Sequence, residues 1–230
     1  MTIIAMFLYG SHARGNATPA SDFDVMAVTS EGKNHLTVEG NNNFSFYTAR
    51  SALKMASEGN LFIKHVLLEG RALYDPTQFL DHLEKSFELK ENYDKEVLFA
   101  SQLGWFIAKN RPFFQSCRAI NKRITWCVRT ILISRAADEG SFIFSADELA
   151  EYSKSRSARN ILSLRNTSVV NEDRIVALRS FLRRFGSIKE NDVPRDPAKA
   201  ESLFRLHGNN FALKTLKDAI HATGSMSDYA

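Results

Sequence analysis

Strand-like sequence ends at Asp75–Pro76. Before that point, short apolar runs are separated by turn residues; after it, the apolar patterns have helical spacing. Strands gathered in one stretch and helices in another specify an α+β chain, not alternating units wound through a parallel sheet. The expected organisation is a small mixed-sheet domain over residues 1–75, an all-helical bundle over 76–186, and a linker with a C-terminal helix and mobile tail over 187–230. The chain has 230 residues, 44% hydrophobic and 24% charged, enough for one or two packed cores and unlike a disordered or fibrous chain. Apolar runs such as Ile3–Tyr9 fall far short of the ~20 residues that span a bilayer, and the first residues lack a secretory pattern. Cys117 and Cys127 are the only cysteines, too few for a disulfide framework or a Cys-rich zinc site. A cytoplasmic protein with no membrane contact is expected.

The front third reads as follows. Ile3–Tyr9 is a buried strand stopped by Gly10, and Ser11–Arg14 opens a short helix. Gly15–Ser21 is loop, Asp22–Thr29 a second strand, and Phe44–Tyr47 a third, with His35–Glu39 pairing to it through Gly40–Asn43. Thr48 caps a helix over Ala49–Ser57, and Asn60 caps another over Leu61–Glu69. Arg71–Tyr74 is extended. Helices are expected over Gln78–Leu89, Tyr93–Lys109, Phe114–Glu139, Ala146–Lys154, Asp173–Phe185 and Ala198–Ala222, the last broken near Gly208. Ser145 with Glu148 forms a capping-box start.

The chemistry gathers between Gly10 and Asp24. Gly10 follows a buried strand and precedes a helix start, where a phosphate can approach the backbone and free N–H groups favour an anion. Ser11 adds a hydroxyl donor. Asp22 and Asp24 lie two apart, so on a strand their carboxylates share a face. Two such carboxylates repel unless a cation lies between them, and hard oxygen ligands suit Mg²⁺ carried with substrate phosphates. Taken alone, Gly-Ser or Asp-x-Asp says little. The order strand, Gly-Ser, helix, loop, Asp-x-Asp, apolar strand is a strong signal.

That segment resembles the signature of the DNA polymerase β-type nucleotidyltransferase superfamily, and most closely its minimal nucleotidyltransferases. The specific match covers roughly Ile3–Val28, and a looser one runs to about Asp75. The resemblance implies an α+β fold in which the small mixed sheet is a nucleotidyltransferase domain followed by a helical domain. It implies that Gly10 and Ser11 grip an NTP, with ATP the expected nucleotide. Asp22 and Asp24 would bind Mg²⁺ or Mn²⁺ and act as catalytic residues, and Arg14 would assist near the phosphates or support the loop. The activity implied is transfer of a nucleoside monophosphate to an acceptor hydroxyl on a protein side chain, an RNA end or a small molecule. Such enzymes often occur in toxin–antitoxin or phage-defence settings. A homo-oligomer or a partner protein stays open.

The pattern also departs from the family. A third carboxylate is usual on a later strand, between hydrophobic residues. The matching triplet here is Phe44-Ser45-Phe46, which puts a neutral hydroxyl in its place; Glu39 becomes the substitute only if the register shifts. The alternative is therefore a catalytically degenerate domain that senses nucleotide or binds a partner.

The helical half is basic. The first 75 residues hold 6 basic and 7 acidic side chains, whereas 118–184 hold 13 and 7. On the long helix Phe114–Glu139, Arg118, Lys122 and Arg129 form a stripe opposite the apolar face. That stripe either meets phosphates of the nucleotide or an acceptor RNA, or is a solvated surface. Seven arginines without lysine, from Arg156 to Arg184, favour bidentate phosphate or carboxylate partners. An Arg-to-His motif of the nuclease type is missing there, so RNase activity is not expected. Of the six histidines only His12, inside the Gly10–Arg14 run, has a candidate role at the phosphates.

Overall fold

The computed structural model describes residues 2–19, 21–114, 117–163 and 172–224. It divides into two compact units, Met1–Asn92 and Tyr93–Ala230.

In the front unit, β1 (Ile3–Tyr9) leads through Gly10 into α1 (Ser11–Arg14). Then come β2 (Phe23–Thr29), β3 (His35–Glu39), β4 (Asn42–Thr48), α2 (Ala49–Ser57), α3 (Leu61–Glu69), β5 (Arg71–Tyr74) and α4 (Phe79–Ser86). The sheet order is β3-β4-β2-β1-β5. It is mixed, as expected: β2 and β4 run parallel, and the other neighbours antiparallel. The predicted caps form, with Thr48 accepting from the Ser51 amide and Asn60 from the Phe62 amide.

Residues that pair across strands share a face. Ala5, Phe7 and Tyr9 of β1 therefore lie on the same face as Asp24, Met26 and Val28 of β2 and Asn43, Ser45 and Tyr47 of β4. One end of that face is apolar. There Ala5, Phe7, Met26 and Val28 form one core with Ala52 and Ala56 of α2, Ile63 and Val66 of α3, and Phe79 and Leu83 of α4. The other end carries Tyr9, Asp24, Asn43 and Ser45. Burial of the first end fixes the register, and the register then decides which polar groups meet at the second.

Helix α4 belongs with the front unit because Phe79 and Leu83 are buried in its core. Asp75 starts it, its carboxylate accepting from the Phe79 and Leu80 amides at 2.7 and 3.0 Å. The front unit thus runs past the expected boundary at Asp75.

The second unit is helical: α5 (Asp94–Lys109), α6 (Cys117–Asp138), α7 (Ala146–Ser153), α8 (Arg156–Ser163), α9 (Glu172–Phe185), α10 (Pro197–His207) and α11 (Asn210–Gly224). Leu103, Phe106 and Ile107 of α5 are buried with Ile124, Val128 and Ile131 of α6 and Leu178 and Phe181 of α9. Ser145 caps α7 through the Glu148 amide, and the break expected near Gly208 separates α10 from α11. The stretch read as a linker is tied to α5: Trp105 Nε1 donates to the Ile188 carbonyl at 2.9 Å and Lys109 Nζ to the Val193 carbonyl at 2.6 Å. Phe204 and Leu216 join the same core, so α10 and α11 are part of this unit. The tail expected to be mobile lies, from residue 225 on, outside the described residues. Among the described residues, no helix is long and apolar enough to cross a membrane.

Candidate functional site

Gly10 closes β1 with φ 75° and ψ −152°, a backbone conformation essentially reserved for glycine. The turn brings the chain against β2. A Cβ built on Gly10 would lie 3.2 Å from Asp24 Oδ2, so the carboxylate of Asp24 stands directly beside the Gly-Ser turn. The first amides of any α-helix have no acceptor within the helix, which makes those after Gly10 available to an anion. Arg14 N–H closes back onto the Gly10 carbonyl at 3.1 Å, and Gly15 ends α1 in the left-handed conformation.

Asp24 opposes Tyr9 on one side and Asn43 on the other. Asn43 Nδ2 donates to Asp24 Oδ1 at 2.8 Å. Ser45 lies one step further along the same face, beside Met26, and its hydroxyl hydrogen-bonds the Tyr9 phenol. Burial pushes the Tyr9 phenol well above its usual pKa, and the negative charge of Asp24 pushes it further in that direction. Burial does the same to Tyr47. Both phenols therefore stay protonated at neutral pH and serve as neutral groups beside an anionic carboxylate.

Asp22 is half-buried and immediately precedes β2. The next residue is fixed to the turn before β4, the Phe23 amide donating to the Asn41 carbonyl at 2.8 Å. The loop before Asp22 is tightened at Thr18 and Ser21, whose backbone and side chains bond one another.

The remaining sequence-derived candidates fall differently. Arg14 pairs with Glu69 of α3, and Glu69 also accepts from His65 Nε2 at 2.8 Å. Arg14 thus supports the turn by tying α1 to α3. Burial alone would raise the Glu69 carboxyl, but the hydrogen bonds and charges of His65 and Arg14 outweigh it and hold it below the usual value. Replacing Glu69 by Gln is expected to cost on the order of 2 kcal/mol near neutral pH. A depressed folded pKa gives stability that is complete above the unfolded value (~4.3) and lost as pH falls through the folded one. In urea titrations the gap between wild type and Glu69→Gln should therefore narrow from about pH 6 to pH 3; a constant gap would contradict this.

His12 packs its ring edge-on against Phe23, with centroids 5.3 Å apart. Glu39 pairs with Asn42, which alternates with Asn43, so Glu39 lies on the opposite face of the sheet from Asp24. A substitute carboxylate at Glu39 is thereby corrected by the register.

Lys122 and Arg129 are in the helical unit, where Lys122 is exposed and Arg129 Nη2 donates to the Phe144 carbonyl at 2.8 Å. The side chain of Arg118, and the whole of Arg165, lie outside the described residues. Several other arginines serve the protein itself. Arg174 is buried and donates to Thr125 Oγ1 and the Ile161 carbonyl at 3.3 and 3.2 Å. Arg179 donates to the Ala108 carbonyl at 2.9 Å, and both Arg179 and Arg183 pair with Glu190. Of the phosphate or carboxylate partners expected, Arg179 and Arg183 thus meet a carboxylate of the protein itself, and Arg174 meets a hydroxyl and a carbonyl.

Sequence reasoning missed Asn43 and the Glu69–His65 pair. Asn43 directly precedes the Phe44-Ser45-Phe46 triplet and was read only as turn.

Among the described residues, no group of three or more His, Cys, Asp or Glu side chains is placed to hold a metal ion. The donors present are Asp22 and Asp24 with the Gly10–Ser11 turn alongside Asp24. Asp24 beside the Gly10 turn, with Asp22 two residues before it, is a hard-oxygen donor set of the kind that suits a divalent ion carried with phosphates.

Residues 2–110 match the family model described as the nucleotidyltransferase domain. None of the curated proteins matches the chain. Among solved structures, a nucleotidyltransferase-like protein from Exiguobacterium sibiricum is similar at 12% identity and a TM-score of 0.33, over 80% of this chain and 69% of its own. That likeness is too remote to carry weight. The family match spans the sheet, the Gly-Ser turn and both aspartates: residues 2–110 hold a nucleotidyltransferase domain, of a family that moves a nucleoside monophosphate from an NTP.

Proposed function

We propose that the front unit binds an NTP with Mg²⁺ (or Mn²⁺) and transfers its nucleoside monophosphate to an acceptor hydroxyl, releasing pyrophosphate. The observation that supports this reading is the closeness of Asp24 Oδ2 to the Gly10 turn, where the helix-start amides would meet a phosphate beside a carboxylate. Gly10 and Ser11 would hold the triphosphate, and Asp22 and Asp24 its cation. The ion, when bound, would neutralise phosphate charge and polarise the reacting phosphoryl group. Arg14, held by Glu69, keeps the turn in place. Tyr9 stays protonated and keeps Asp24 beside a neutral neighbour. ATP is the proposed nucleotide, and a protein side chain, an RNA end or a small molecule the proposed acceptor. A toxin–antitoxin or phage-defence role, in the cytoplasm and with a partner protein or a second copy, enters this proposal on the resemblance alone.

A second reading has its own observation. The strand neighbour of Asp24 is a neutral amide, and the next group along is a hydroxyl. Neither takes a proton from an acceptor at neutral pH. That favours a nucleotide-binding module that senses NTP or recruits a partner without fast chemistry.

Label transfer from each α-³²P NTP with Mg²⁺ separates the two. Acceptors would be total RNA, lysate protein and the chain itself, with the Asp22→Asn/Asp24→Asn double variant as control. Transfer that needs the aspartates supports the enzyme, and the labelled species gives the acceptor class. Nucleotide binding without transfer to any of these supports the module.

A further inference from the structure

We propose that Asn43 fixes the cation number of this site at one. The inference rests on the reading of the site as a Mg-NTP site and specifies how it is built.

The two oxygens of Asp24 have different surroundings. Oδ2 lies beside Gly10, on the side where a triphosphate would meet the turn. Oδ1 accepts from Asn43 Nδ2 at 2.8 Å. An ionised carboxylate only accepts hydrogen bonds, so the amide must present its N–H side to Asp24, and its oxygen is the atom that does not face the carboxylate. Asn43 is therefore not a ligand in this arrangement. It is an orienting partner that holds Asp24 with Oδ2 on the side of the Gly10 turn.

A pair of divalent ions ~3.5–4 Å apart needs a carboxylate that can bridge them and enough negative charge to hold both. Here the side chain that meets the second oxygen of Asp24 is a donor, and Asn43 itself brings no charge. Ser45, the next residue on that face, is engaged with Tyr9. Glu39 is on the other face. Asp22 and Asp24 suffice for one nucleotide-borne ion, and the side chain opposite Asp24 on β4 is an amide, which adds no charge to hold another.

The test counts ions. The full chain is titrated with Mn²⁺ in the presence of α,β-methylene-ATP, and bound Mn²⁺ is read by electron paramagnetic resonance. Wild type is expected to hold one Mn²⁺ per bound nucleotide, and Asn43→Asp, which keeps the side-chain shape and adds a charge, two. Two ions in wild type, or one in Asn43→Asp, would overturn the proposal. Should Asn43→Asp fail to fold, Asn43→Ala decides. Loss of the orienting amide should weaken Mn²⁺ in the nucleotide complex by roughly tenfold, and unchanged affinity would overturn the inference. Absence of nucleotide binding by wild type at any Mn²⁺ concentration would instead remove the Mg-NTP reading itself, and this inference with it. A wrong count and a missing complex are therefore distinct failures.

Discussion

Replacing Gly10 by alanine is expected to lower the stability of the front unit by about 1–3 kcal/mol, the cost of holding a non-glycine residue in that backbone region. It should also weaken cation-dependent nucleotide binding by at least roughly tenfold, through the carboxylate it disturbs. Two effects coincide at this residue. Its φ of 75° with ψ of −152° suits glycine, and a Cβ there would crowd Asp24 Oδ2 at 3.2 Å. Gly15 provides the comparison. It too has positive φ, at 78°, but a Cβ added to it meets nothing within 4 Å. Gly15→Ala should therefore cost about 1 kcal/mol of backbone strain and leave nucleotide affinity near wild type. Urea unfolding and nucleotide titration of the two variants side by side check both parts. Equal nucleotide affinity in both variants would contradict the placement of Gly10 at the site.

Replacing Asp24 by asparagine is expected to reduce Mg²⁺-dependent nucleotide affinity by at least roughly 100-fold, beyond the usual effect of losing a group that only supports a metal ligand. Any aspartate-dependent label transfer should fall at least as far. The fold should survive. The new amide oxygen can still accept from Asn43, so the change in stability is expected to stay within about 1 kcal/mol. The combination is diagnostic: a residue needed for packing would lose stability and affinity together, whereas Asp24 should lose affinity alone. Circular dichroism melting beside the binding titration reads both.

Much of the fold was open to sequence reasoning because local signals agreed. Gly10 and Gly70 bound their elements, Thr48 and Asn60 cap theirs, and the turn after Glu39 joins β3 to β4 as read. The identity of the residue beside Asp24 was hidden for a physical reason. Alternation along a strand shows which residues share a face, but Asn43 and Ser45 share the same one. Only the parallel pairing of β2 with β4, a long-range relation, brings Asn43 opposite Asp24 and Ser45 opposite Met26. The same register removes Glu39, whose parity is wrong. Arg14 could be seen in the turn motif, but its partner Glu69 is 55 residues away on another helix. Helix α4 shows helical periodicity, but that pattern does not say which core it enters; Phe79 and Leu83 place it in the front one. Arg174 looks in sequence like its exposed neighbours, and only the packing of α9 reveals that it is buried.

The most direct measurement is the affinity of the full chain for each NTP with and without Mg²⁺, in wild type and in the Asp22→Asn/Asp24→Asn double variant. Binding that requires Mg²⁺ in wild type and is lost in the double variant is expected. Binding that is equal with and without Mg²⁺, or that survives loss of both aspartates, would contradict the assignment of Gly10, Ser11, Asp22 and Asp24 to a Mg-NTP site.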